Sequence, residues 1–203
     1  MAEARGPGEP LPRRAVVQAL LAERGELLVV AGLGAPAWDA TAAGDHPLTF
    51  PLWGGMGGAA MVGLGLALAQ PARRVLVLTG DGEMLMGLGA LATIGVARAA
   101  NLAIVVLDNE RYGETGMQET HTAAGVDLAA VAAACGFGDA ATARTMGEVE
   151  RLRERVHAGA GPLFAAVKVA PDRLPLVLPP RDGAHLKNRF REALLGPQAH
   201  FQA

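Results

Sequence analysis

Two residues of this chain have the chemistry and the spacing to hold a hard cation between them. Asp81 sits in Gly80-Asp81-Gly82 at the end of the apolar run VLVLTG, and Asn109 follows Asp108 at the end of the run AIVVL. They lie 28 positions apart (109 − 81), with a helix-length stretch between them. Successive strands joined through a helix run parallel, so both ends reach the same edge of the sheet. A carboxylate and an amide oxygen at that edge suit Mg²⁺ or Ca²⁺, and Mg²⁺ in particular is held by one or two side chains plus substrate phosphates. The flanking Gly80 and Gly82 let a diphosphate approach the backbone. The helix that follows begins with free N–H groups aimed at such an anion.

The elements that must carry these residues read as alternating apolar strands and helices. Helical periodicity covers 13–24 and stops at Gly25; LLVVA (27–31) is a short buried strand that breaks at Gly32; AMVGLGLALA (60–69) is helical and stops before Gln70-Pro71. RVLVLTG (74–80) and AIVVL (103–107) are strands on either side of a helix from Leu85 to Arg98. Residues 127–135 and 147–158 read as helices, LFAAVKV (163–169) as a strand, and 184–195 as a closing amphipathic helix. This alternation predicts an α/β fold, a doubly wound, mainly parallel sheet with helices on both faces. Ligands of such sheets bind beyond the carboxyl ends of strands. Gly32, Gly80 and Asn109 all stand just past strand ends and mark one candidate binding edge.

Composition narrows the function classes. The 203 residues are 51% hydrophobic and 19% charged, the balance of a globular chain, with a formal net charge of −2 and no basic block to call for nucleic acid or anionic membrane. Aromatics make up only 4%, so small aliphatic residues must build the core. The single cysteine, Cys135, lies in an apolar run and reads as a small buried hydrophobe, compatible with a reducing cytoplasm. The apolar stretch 56–69 is too short and too glycine-rich to span a membrane. The histidines at 46, 157, 185 and 200 have no partners at metal-ligand spacing.

The Gly-Asp-Gly element, the interval and the Asn together resemble the diphosphate- and magnesium-binding motif of thiamine diphosphate enzymes. The resemblance runs from the first helix to LFAAVKV and implies the thiamine diphosphate-binding fold of the diphosphate-binding (PP) domain. It implies Asp81, Asn109 and the backbone carbonyl of Arg111 as Mg²⁺ ligands. Asp108 departs from the commoner Asn at the first position of that pair. The stretch Trp53-Gly54-Gly55-Met56 is similar to the family's Gly-x-(large apolar)-Gly element. Met56 then becomes the wedge that holds the cofactor bent, and the Gly54 carbonyl the acceptor for its 4′-amino group. Contacts to the cofactor are further implied at Gly34, Ala35, Gly80, Gly82, Glu83, Tyr112 and Gly113. Glu83 is a second departure, because a carboxylate beside a diphosphate repels it. It must turn away, leaving only its N–H, or pair with a base. The polar loop 110–122 carries the substrate candidates Glu114, Thr115, Gln118 and His121. Its Thr115-Gly116-Met117-Gln118 is similar to the loop of the sulfopyruvate and phosphonopyruvate decarboxylase subgroup.

This domain type holds only half of such a cofactor. The resemblance therefore implies a β-type subunit of a split 2-oxo acid decarboxylase. An α-type partner would bring the pyrimidine domain and its activating Glu, in a heterotetramer placed in the cytoplasm. The expected organisation is a flexible tail (1–12), the cofactor-binding domain (13–170), and a Pro-rich arm with a C-terminal helix (171–203). Carboligation of the acetolactate synthase kind and a noncatalytic homologue remain alternatives. So does a dinucleotide-binding oxidoreductase built on Gly32-x-Gly34-x-x-Ala37, although that reading lacks the ribose-binding acid about 20 residues on. A β subunit of a 2-oxoacid:ferredoxin oxidoreductase shares the metal motif but would bring cluster cysteines, which this sequence lacks.

Overall fold

The computed structural model describes residues 9–201. The chain runs α1 (Arg13–Leu21), β1 (Leu28–Ala31), α2 (Ala35–Ala42), β2 (Thr49–Pro51), α3 (Ala59–Ala69), β3 (Val75–Gly80), α4 (Asp81–Met86), α5 (Ala90–Ala97) and β4 (Leu102–Asp108). A small hairpin of β5 (Arg111–Tyr112) and β6 (Gln118–Glu119) follows, then a 3₁₀ turn at His121–Ala124. The remainder is α6 (Leu128–Ala134), β7 (Asp139–Ala143), α7 (Met146–Ala158), β8 (Leu163–Lys168) and α8 (Gly183–Leu195), closed by a 3₁₀ turn at Gly196–His200.

Six strands form one parallel sheet in the order β2-β1-β3-β4-β8-β7. Chain order reverses between β1 and β3, the kind of switch point at which such sheets open a crevice. The central strands are buried on both faces, which is why they read as continuous apolar runs. Alternate residues feed two separate cores. Val75, Val77, Ile104 and Val106 face α3, α5, α6 and α8, while Leu76, Leu78, Val105 and Leu107 face α1, α2 and α7. Gly63 lets α3 lie close on the sheet, since a Cβ there would collide with Val77.

Several elements depart from the sequence reading. The helix expected from Leu85 to Arg98 is broken at Gly87–Gly89, between α4 and α5. A Cβ at Gly87 would strike the Gly57 carbonyl, so the two loops touch backbone to backbone and the chain must turn there. Helix α2 was not anticipated. Pro36 stands in the first turn of this helix, where an N–H has no intrahelical partner anyway. Edge strands β2 and β7 carry little apolar pattern, with three residues in one and DAATA in the other. The expected tail is anchored at Leu11, which is buried and bonded to both Lys168 and Ala170; residues 1–8 lie outside the described part.

The segment 171–182 is extended and crosses the carboxyl edge of the sheet before α8 begins at its Asp182 cap. It is pinned at three places. Arg13 donates to the Asp172 carbonyl at 3.4 Å, Arg14 to that of Pro175 at 2.9 Å, and the Trp53 indole to that of Pro180 at 2.7 Å. Both arginines also pair with Asp39, which is fully buried in α2. Helix α8 then packs Phe190 on Phe50 of β2, with ring centroids 5.6 Å apart.

Candidate functional site

The ends of β3 and β4 and the start of α2 open onto one cleft of about 740 Å³. Ala35, Met56, Gly80, Asp81, Gly82, Glu83, Asn109, Arg111, Tyr112, Gly113, Glu114 and Thr115 all line it, so most of the expected site comes together. Gly34, Gly54, Gln118 and His121 are not part of its lining. The arm supplies one wall through Asp172, Arg173, Leu174 and Leu176.

Register explains why Asp81 and Asn109 meet. Gly80 pairs with Leu107 across β3 and β4, so Asp81 emerges level with Asp108, and Asn109 follows one residue further along the same edge. Asp81 is 2% exposed and opens α4, where the first N–H groups have no intrahelical acceptor. Its Oδ2 accepts a hydrogen bond from the Thr120 hydroxyl at 2.6 Å, and the Thr122 oxygen lies 3.3 Å away. Burial drives the Asp81 pKa up to about 6, against the pull of the Thr120 hydroxyl and with help from the nearby Asp108 charge. An acid in that condition gains from a cation beside it. Asn109 Oδ1 accepts from the Arg111 N–H at 3.0 Å, which fixes the amide and leaves a second lone pair on that oxygen.

Asp108, the odd residue of the pair, has a structural reason. It is buried, bonded at 2.8 Å by the Thr122 hydroxyl and at 2.7 Å by the Lys168 ammonium at the end of β8. Burial would lower the Lys168 pKa, but hydrogen bonds and charges from Asp108 and Glu110 outweigh it and raise it. An amide at 108 would leave that ammonium short of a counter-charge.

Glu83 takes the first of the two courses open to it. Its side chain turns under the end of β1, where Oε2 accepts from Thr79 at 2.7 Å and a Cβ on Gly32 would collide with it. Its other oxygen, Oε1, is buried without a hydrogen-bond partner among the described residues, and burial raises the Glu83 pKa. Toward the cleft Glu83 therefore offers its backbone. Met56 takes the opposite course. Gly55 (φ 70°) and Gly57 (φ 90°), both in the left-handed region, turn it outward, and it stands 39% exposed at the cleft. The Tyr112 ring lies against Gly82, where a Cβ would strike it.

The overhanging hairpin is less settled in its partners. Glu114 packs its carboxylate on Gly34, so the expected substrate contact and the expected diphosphate contact claim the same place. Burial raises the Glu114 pKa. Thr115 and Gln118 bond to each other across the turn, at 3.0 Å and 2.8 Å. His121 is exposed. Thr120, Thr122, Lys168 and Arg173 were not anticipated as parts of the site. Only the Thr-x-Thr spacing at the end of the polar loop, two hydroxyls close behind a cluster of loop carboxylates, could have pointed to the first two.

Comparison with known proteins places the chain in a family. The model of the thiamine pyrophosphate enzyme C-terminal TPP binding domain matches residues 35–167. The chain belongs to this family. Among relatives of this thiamine pyrophosphate domain is the sulfopyruvate decarboxylase subunit beta of Methanothermobacter thermautotrophicus, 39% identical over 83% of this chain and 88% of the relative. The phosphonopyruvate decarboxylase of Streptomyces viridochromogenes is 38% identical over 92% of this chain, which spans only 47% of that protein. Benzoylformate decarboxylase from Polynucleobacter necessarius shares the fold, with a TM-score of 0.67 at 21% identity over 87% of this chain and 36% of its own. The dinucleotide reading falls with this membership. Gly32 and Gly34 are also both covered by glutamate carboxylates, Glu83 and Glu114, where a dinucleotide fingerprint leaves its backbone open to the pyrophosphate. Among the described residues no helix is long and apolar enough to cross a membrane.

Proposed function

We propose that this chain is the β-type subunit of a split thiamine diphosphate- and Mg²⁺-dependent 2-oxo acid decarboxylase, acting in the cytoplasm on substrates of the sulfopyruvate or phosphonopyruvate class. The observation that carries the proposal is the placement of the Asp81 carboxylate, the Asn109 amide and the outward-turned Met56 on one cleft at adjacent strand ends. The residues fit the cofactor. Gly80 has open space where a Cβ would stand, and one carboxylate with one amide oxygen is the donor set Mg²⁺ takes beside phosphates.

In this reading Asp81, Asn109 and the Arg111 carbonyl hold the cation. The backbone of Gly80, Gly82 and Glu83 borders the diphosphate. Met56 would be the wedge on which the cofactor rests, and the Gly54 carbonyl would accept from its 4′-amino group. Thiamine diphosphate supplies the electron sink for loss of CO₂ from a 2-oxo acid. The chain itself binds, orients and shields. Leu33, Trp38, Leu174 and Leu176 make the rest of the cleft apolar, and the hairpin overhangs it.

The substrate class is supported by charge. Three arginines line the cleft. Arg13 is paired with Asp39, and Arg111 with Glu119 and the Glu110 carbonyl. Among the described residues no hydrogen bond or ion pair engages the Arg173 guanidinium, which leaves it for the second acid group of a dianionic substrate. An α-type partner bringing the pyrimidine domain and the activating Glu, in a heterotetramer, is supported by the surface beside the cleft. Met61, Val62, Met86 and Val96 stand exposed on α3, the end of α4 and α5, an apolar face of the kind that marks an interface. The M. thermautotrophicus relative is itself named a subunit beta.

The test is decarboxylation with thiamine diphosphate and Mg²⁺ by the chain alone and by the chain mixed with a pyrimidine-domain subunit. Turnover of sulfopyruvate or phosphonopyruvate by the mixture and not by the chain is expected. Robust turnover by the chain alone removes the split-enzyme reading, and a mixture inactive on both acids removes the substrate class.

A further inference from the structure

The two hydroxyls behind Asp81 belong to the same loop that overhangs the cleft. That loop starts at Asn109 and Arg111, closes on itself where the Thr120 N–H donates to the Glu110 carbonyl at 3.1 Å, and ends on the buried pair Thr120 and Thr122. Three contacts join the pair to the carboxylates, Thr120 to Asp81 at 2.6 Å, Thr122 to Asp108 at 2.8 Å and Thr122 to Asp81 at 3.3 Å, and the two hydroxyls lie 2.9 Å from each other. Each threonine has one proton to give. The two shortest contacts take them, so Thr120 serves Asp81 and Thr122 serves Asp108. Asp108 is held in turn by Lys168. The Asp81 carboxylate is thus tethered through Oδ2, while Oδ1 receives no side-chain hydrogen bond from the described residues and Asp81 faces the cleft.

We infer that Thr120 is a positioning residue that fixes Asp81 for one-oxygen ligation of the cation, and that Thr122, Asp108 and Lys168 brace it from behind. Because Thr120 also closes the hairpin, cation binding and hairpin order are coupled. A loop able to release Thr120 would release Asp81 with it. With a cation bound, Asp81 would keep its place against Thr120, and residues 110–120 would stay ordered with it. The inference rests on the reading of Asp81 as a cation ligand.

The experiment is a Mn²⁺ titration of the chain assembled with a pyrimidine-domain subunit, in the presence of thiamine diphosphate, followed by the paramagnetic resonance of free Mn²⁺. It is paired with amide hydrogen exchange of residues 110–120 with and without the metal. Thr120→Val is expected to weaken Mn²⁺ binding roughly 10- to 100-fold, the range for groups that orient a ligand, and to abolish the protection that Mn²⁺ confers on the hairpin. Thr120→Ser restores both. Thr122→Val, at the residue that gives its proton to Asp108, shifts affinity less, and if Thr120→Val does not fold by circular dichroism, Thr120→Ala carries the test with the same expected losses. Mn²⁺ affinity within twofold of wild type in a folded Thr120→Val protein overturns the inference, as does wild-type hairpin exchange that ignores the metal. Absence of Mn²⁺ binding by the wild type overturns instead the assignment of Asp81, and the inference with it.

Discussion

The two sides of the cleft are built in opposite ways. On the strand-end side Asp81 and Asp108 are at most 3% exposed, and each of their bonded partners comes from another element: Thr120 and Thr122 from the loop, Lys168 from β8. On the overhanging side Glu114 and Arg173 ride on an exposed hairpin and an extended arm. Glu114 rests on Gly34, and Arg173 is unengaged among the described residues. The buried side is over-determined, so a change there costs stability and geometry together. The exposed side can change its ligand contacts with little effect on folding. A site that grips one constant cofactor group and meets variable substrates is served by this division.

The sharpest way to break the comparison is to disturb the buried side at one atom. Gly32→Ala drives a methyl into the Glu83 carboxylate, which is 5% exposed and tied to Thr79. The expected cost is about 1–3 kcal/mol in urea unfolding. Glu83→Ala in the same chain removes the obstacle and returns most of that loss. A Gly32→Ala protein as stable as wild type would show that this side yields as readily as the other.

On the exposed side the effect moves from folding to recognition. Arg173→Ala leaves unfolding within about 0.5 kcal/mol of wild type, as surface changes do. In the enzyme assembled with its partner it raises KM for a substrate with two acid groups about tenfold or more, the value of a charge-assisted hydrogen bond. Thiamine diphosphate affinity stays unchanged. A weakened cofactor affinity with KM intact would assign the guanidinium to the diphosphate instead.

The smallest effect is at Glu114. Removing a carboxylate from the place where a diphosphate would meet Gly34 should tighten cofactor binding about two- to fivefold, the scale of an exposed charge interaction. The sign with pH follows from the charge. Above its raised pKa Glu114 is anionic and repels the diphosphate; below it the carboxyl is neutral. The advantage of Glu114→Ala in a calorimetric titration therefore shrinks as pH falls through that value, and an advantage that grew on acidification would count against the placement.

Much of the buried side was legible in the sequence because its signals are local. Continuous apolar runs mark strands buried on both faces, and a Gly-Asp-Gly at one strand end with an Asn at the next needs only the parallel β-α-β connection to bring them together. Helix α2 and strands β2 and β7 were missed because short edge elements take their stability from neighbours rather than from their own pattern. The break at Gly87 was missed because its cause, the backbone of Gly57, lies 30 positions away (87 − 57).

By itself the sequence determined the sheet class, the placing of Asp81 and Asn109 at successive strand ends and the likeness to thiamine diphosphate enzymes, since each depends on residue type and spacing along the chain. Tertiary structure alone decided where Glu83 points, why position 108 is an Asp, which hydroxyls hold Asp81, and which arginine is left unengaged. Those are questions of which groups share a buried volume. Asp108 answers to Lys168, 60 positions on (168 − 108), through a bond of 2.7 Å that no spacing in the sequence announces. Burial raises the cost of an unpaired charge, and only the folded chain determines which charges are buried together.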